Sequence, residues 1–153
     1  MRIALFGNMQ YPESEGDTVE RLDIHAPKFA GTYDQVVVSN TIPELPRDKV
    51  MAFLEQARSV LNQNGELIVH VPMAEFACKK IFTNKPDNMT FYMLYGNDAT
   101  PFRACYSLLA IRTLVERAGF AVRKAAQDII EIRSTTGETT HMPIHFVVGV
   151  RHD

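Results

Sequence analysis

Few residues in this sequence have the type and spacing for chemistry. His141 and His145 stand at i, i+4. On a helix, that spacing puts two imidazoles on one face, where a third ligand can complete a metal site. Here the segment reads as a strand with Pro143 inside it. Four residues of strand cover about 13 Å, too far for one ion, so no metal is expected. Cys78 and Cys105 form no CxxC and have no Cys–His context, so neither a thiolate metal site nor a cysteine nucleophile is expected. His70, in the run ELIVHVP, reads either as a hydrogen-bonded core or cleft-edge histidine or as a general base. Ser39 and Asn40 follow the run QVVV. They sit at the C-terminal end of a strand, the edge where open parallel sheets take their ligands. Phe91, Tyr92, Tyr95 and Phe102 line either a pocket or the core.

These side chains need a scaffold, and hydrophobic periodicity supplies one. Arg2–Phe6 is short, mostly apolar and followed by Gly7-Asn8, a buried strand and its turn. Residues 8–18 read as a loop, and Val19–Ile24 as a second strand. Three consecutive valines in Gln35–Ser39 indicate a strand buried on both faces. In Arg47–Leu61, Val50, Phe53, Leu54, Ala57, Val60 and Leu61 fall on one stripe at helical period, with Pro46 before it and Asn64-Gly65 as the expected stop. Glu66–Pro72 is the next strand, so residues 35–72 form a strand–helix–strand unit, with parallel strands and a right-handed crossover if the two are neighbours. A helix is expected near Ala74–Phe82, and Phe91–Tyr95 is ambiguous. A further helix spans about Cys105–Ala118, with Gly119 as its stop. Phe120–Ala126 reads as a strand. Asp128–Arg133 and Ile144–Arg151 read as two more, around a hairpin turn at residues 134–138.

The totals agree with a single domain over residues 1–153. Hydrophobic residues are 46% and charged residues 22% of the chain, an ordinary globular composition. A formal charge of −2 gives no basic field for nucleic acid. No apolar run reaches membrane-spanning length, and MRIALFGN is too short in its apolar part for a secretory signal. Two unpaired cysteines suit a reducing compartment, so a cytoplasmic location is expected.

Residues 33–72 (YDQVVVSNTIPELPRDKVMAFLEQARSVLNQNGELIVHVP) resemble the middle of class I S-adenosylmethionine-dependent methyltransferases. In that family a strand opening with an aromatic residue and Asp leads to a helix, an Asn/Pro-Gly turn and a strand ending in Pro. Residues 91–122 are similar to the C-terminal part of small members, with Ala118-Gly119-Phe120 ending the helix. The fold this implies is α/β, a Rossmann-like methyltransferase sheet, mostly parallel, trimmed at one edge, with a C-terminal antiparallel hairpin.

The same resemblance implies a cofactor site for S-adenosylmethionine. Gly7 and Asn8 match the glycine loop after the first strand, although the family's first glycine is replaced by Leu5 or deleted. Asp23 matches the acidic residue whose carboxylate accepts hydrogen bonds from two ribose hydroxyls. Ser39 and Asn40 border the amino-acid end. Each has an ordinary reading too: Gly7-Asn8 as a strand-exit turn, Asp23 as a strand-end turn, Asn40 as a loop cap. Too few residues separate Asp23 from Tyr33 for the family's next helix and strand, and Pro43-Glu44-Leu45 lacks the family's histidine. The resemblance names no catalytic residue and no methyl acceptor. Two functions follow: methyl transfer to an unidentified acceptor, or a degenerate methyltransferase fold kept as a binding or assembly module, as a homo-oligomer or a subunit of a larger complex.

Overall fold

The computed structural model describes residues 1–133 and 136–153. Its strands are β1 (Arg2–Phe6), β2 (Thr18–Leu22), β3 (Tyr33–Ser39), β4 (Leu61–Pro72), β5 (Ala121–Arg133) and β6 (Thr139–Val150). Its α-helices are α1 (Arg47–Val60), α2 (Ala74–Phe82), α3 (Asn88–Tyr95) and α4 (Leu108–Arg117). The six strands form one sheet in the order β2-β1-β3-β4-β6-β5. β1 pairs parallel with β2 and β3, and β3 parallel with β4. β6 runs antiparallel to both β4 and β5. The expected mixed sheet, its parallel 35–72 unit and its trimmed edge are all present: residues 24–32 contain no strand.

Side-chain alternation divides the sheet into two faces. Ala4, Phe6, Val36, Val38, Leu67, Val69 and Val147 pack with Val50, Phe53, Leu54 and Ala57 of α1 and Ile111 and Val115 of α4. Phe29, from the loop joining β2 to β3, covers part of that face, edge-on to Phe6 and Tyr33. On the opposite face Ile3, Leu5 and Val37 are fully buried under Met9 and Tyr11. Here the crossover from β1 to β2 is an extended loop rather than a helix. Leu5 is therefore a strand residue, paired with Val37 and Arg21, and not part of the loop after β1. Among the described residues no helix is long and apolar enough to cross a membrane.

Three local expectations change. α1 ends at Val60 without the glycine stop, because Leu61 is already extended, buried and paired with Tyr33. The left-handed residue is Asn64 (φ 63°), three residues later. The carbonyls of Arg58, Ser59 and Leu61 instead accept hydrogen bonds from the Arg151 guanidinium. The two strands read at 120–126 and 128–133 are one strand, β5, with a bulge between Val122 and Lys124. The ambiguous 91–95 segment lies within α3, started by a capping box in which Asp87 accepts from the Thr90 N–H at 2.8 Å and the Thr90 hydroxyl accepts from the Asp87 N–H. The stop at Gly119 is as expected: Gly119 N–H bonds Glu116 O, and Phe120 N–H bonds Val115 O. Of the expected hairpin turn at 134–138, Ser134 and Thr135 lie outside the described residues.

Candidate functional site

Because β1 to β4 are parallel, their C-terminal ends share one edge of the sheet. The chain leaves β1 toward β2 on one side and returns to β3 on the other, so a crevice opens where the strand order reverses. Gly7, Asn8, Asp23, Ser39 and Asn40 all lie along this edge.

Gly7 has φ +99°, and a Cβ there would meet the Ser39 carbonyl oxygen at 2.3 Å and Thr41 Cγ2 at 3.3 Å. The ends of β1 and β3 therefore touch through this glycine. The Arg21 guanidinium donates to the Gly7 and Met9 carbonyls at 3.3–3.4 Å, fastening the start of the crossover. Asn8 is exposed. Asp23 is exposed too, and its Oδ1 accepts the His25 N–H at 2.9 Å in a tight turn. Its Oδ2 has no hydrogen bond among the described residues.

Ser39 Oγ lies 3.4 Å from His70 Nδ1. Asn40 is left-handed (φ 56°), and its N–H donates to His70 O at 2.9 Å. Asn40 Oδ1 and Thr41 Oγ1 are buried with no hydrogen-bond partner. A buried acceptor without a donor costs about 1–3 kcal/mol, so a donor from water or a ligand would be favoured at these two atoms. His70 is 6% exposed, its ring 5.3 Å from that of Phe146 and tilted by 33° to it. Burial pulls its pKa down to about 4, opposed by the charge of Asp128. That favours the core-histidine reading, because a base this weak takes up little proton at neutral pH.

Local sequence reading missed one pair at this edge. Glu44, in the 3-10 turn Ile42–Glu44, is 8% exposed, and its Oε1 lies 3.2 Å from His25 Nε2. Burial raises its pKa and the negative charge of Asp23 adds to the rise, while the His25 contact opposes both. Only the acidic residue in PEL was legible; its partner comes from a different loop. An open groove of about 590 Å³ adjoins the edge, lined by Gln10, Tyr11, Pro12, Glu13 and Arg21. The remaining chemical candidates lie elsewhere. His145 is buried, with Nε2 2.7 Å from Glu75 Oε2. Cys78 and Cys105 are free thiols, and burial raises the pKa of Cys105. Tyr92 and Phe102 pack ring to ring at 5.6 Å, whereas Phe91 and Tyr95 face solvent.

The fold has counterparts among solved structures. The methyltransferase SibL, S-adenosylmethionine-dependent and solved in its apo form, matches with a TM-score of 0.54 at 16% identity over 91% of this chain and 37% of its own. An S-adenosylmethionine-dependent methyltransferase from Thermotoga maritima, described as a possible histamine N-methyltransferase, gives 0.52 at 17% over 89% of this chain and 65% of its own. Magnesium protoporphyrin IX methyltransferase from Synechocystis, with bound SAH, gives 0.50 at 17% over 88% and 51%. The chain has the class I S-adenosylmethionine-dependent methyltransferase fold. It spans less than two thirds of each of these structures. No protein-family model and no curated protein matches it.

Proposed function

We propose that the chain binds S-adenosylmethionine at the crevice between β1 and β3 and transfers its methyl group to an acceptor. The observation that carries this reading is Asn40 Oδ1, buried and without a donor at the point where the strand order reverses. The residues present fit the cofactor by hydrogen-bond type. Asp23 Oδ2, Asn40 Oδ1 and Thr41 Oγ1 are acceptors, and the cofactor's ribose hydroxyls and ammonium are donors. Asp23 would hold the ribose, and Asn40, with Ser39 beside it, the amino-acid end near Gly7 and Asn8. Bound there, the cofactor supplies a methyl group activated by its sulfonium. The chain's own contribution is alignment, which can account for much of the acceleration of a displacement. Glu44, its pKa raised by burial and its carboxylate against His25, is the group at this edge suited to receive the proton that an N–H or O–H acceptor releases.

A second reading keeps the fold as a binding or assembly module. It is supported by Gly7, whose missing side chain is already explained by the Ser39 carbonyl. It is supported also by residues 24–32, which supply no strand beyond β2 to wall an adenine ring.

Calorimetric titration with S-adenosylmethionine and with its demethylated product separates the two. The first reading expects saturable heat that falls roughly 10- to 150-fold in affinity in Asp23→Ala, the worth of hydrogen bonds to a charged acceptor. Asn40→Ala should also weaken binding, and Asn8→Ala less. No heat at millimolar cofactor leaves the module reading. Tight binding indifferent to Asp23→Ala removes the proposed site and keeps the fold.

A further inference from the structure

We infer that Cys78 and Cys105 form a thiol pair that closes to an intramolecular disulfide by exchange with a low-mass disulfide, such as glutathione disulfide, and ties α2 to the segment leading into α4. The two residues are distant in sequence, and α3 brings them together. Cys105 Sγ donates to Leu94 O on α3 at 3.6 Å. The Leu94 side chain packs on the apolar cluster of Ala77, Met93, Met142 and Ile144. Cys78 directly follows Ala77 on α2. The helix that carries one thiol therefore packs against the helix whose carbonyl holds the other. Both thiols are free and both residues are exposed, so a reagent reaches them.

The charges agree with this placement. Burial is the main cause of the raised Cys105 pKa, and the charge of Cys78 adds to it, ahead of the opposing charge of Arg47. Such an effect falls off with distance, so each sulfur lies within the field of the other. Cys105 is also fixed in place. On one side the Arg103 and Ala104 N–H groups donate to Pro43 O at 2.6 and 3.4 Å, and on the other Tyr106 is buried in the core. A bond to Cys78 would therefore brace α2 against the turn that follows Asn40 and Thr41.

The exchange balances in two steps. One protein thiolate attacks the reagent's S–S bond, giving a mixed disulfide and releasing one reagent thiolate. The second protein thiolate attacks the protein sulfur of that mixed disulfide and releases the other. The protein thiols lose two electrons and two protons, and the reagent leaves as two thiols. Closure does not require cofactor binding.

The test is the intact mass of the native full chain after incubation with glutathione disulfide. The expected product is a monomer lighter by two hydrogens, with the Cys78 and Cys105 peptides joined, and a reducing thiol restores the original mass. Cys78→Ser, at an exposed site, should instead keep one glutathione on Cys105, and Cys105→Ser one on Cys78. Closure in the native chain should outpace closure in the urea-unfolded chain by at least about tenfold, because the fold raises the effective concentration of one thiol at the other. An unchanged mass, stable glutathione adducts on both cysteines of the native parent, or a disulfide-linked dimer as the main product overturns the proposal. Closure no faster in the native chain than in the unfolded one overturns the placement of the two thiols.

Discussion

The Ser39 carbonyl oxygen occupies the place a side chain on Gly7 would need, 2.3 Å from an ideal Cβ. Gly7→Ala must also hold alanine at φ +99°. Left-handed strain costs about 1–3 kcal/mol on its own, and backbone does not yield as a flexible side chain does. We expect a loss of at least about 2 kcal/mol in urea denaturation. An unchanged midpoint would show that the β1 and β3 ends can separate.

His70 makes stability depend on acid. Its pKa is about 4 in the fold, set by burial, against about 6.5 when unfolded. As pH falls through that window the unfolded chain takes up a proton that the fold refuses. Stability present at pH 7 should fall by up to about 3 kcal/mol by pH 4 from this group. His70→Gln keeps a polar group beside Ser39 and should flatten that part of the profile. Equal acid losses in both proteins would exclude the effect.

Glu44 acts in the opposite sense. Burial raises its pKa in the fold, so just above the ordinary glutamate range the folded chain holds a proton that the unfolded chain releases. Its contribution favours the fold below that window and declines as pH rises through it. Glu44→Gln should therefore lose less stability than the parent between pH 5 and pH 7, read from denaturation midpoints at the two values. A steeper decline in the variant would contradict the assignment.

Arg151 does for α1 what a terminal glycine does elsewhere. Its guanidinium satisfies the Arg58, Ser59 and Leu61 carbonyls. Arg151→Ala should cost about 0.5–1.5 kcal/mol, the net worth of hydrogen bonds to part-buried and exposed carbonyls that water can reach, and Arg151→Lys should recover part. Thermal unfolding of the three proteins measures it; a loss under 0.5 kcal/mol would mean that water replaces the guanidinium.

That helix end also shows where sequence reading stops. The valines of β3, the stripe of α1 and the shortness of the 24–32 connection are local patterns, and each led to the right element. Asn64-Gly65 looked like the stop of α1 because local reading cannot see Arg151, brought in by β6. The Asp87/Thr90 capping box was legible and would have settled α3. At the site, Asp23, Ser39 and Asn40 could be placed from their strands alone. His25 facing Glu44 could not, since that contact depends on how two loops fold over Phe6 and Phe29. The role of Gly7 differs again: the glycine was visible, but the carbonyl that requires it was not.

The position of β6 between β4 and β5 sets an order on synthesis. β1 to β4 are synthesised before β6, so the free side of β4, Glu66–Pro72, has no strand partner until residues 144–150 follow. Over that interval the nascent chain carries an unpaired strand flanked by Leu67, Val69 and Val71, the condition in which chains associate edge to edge. The delay before β6 arrives is therefore a window for edge-to-edge association, a property of the strand order that equilibrium stability does not reveal.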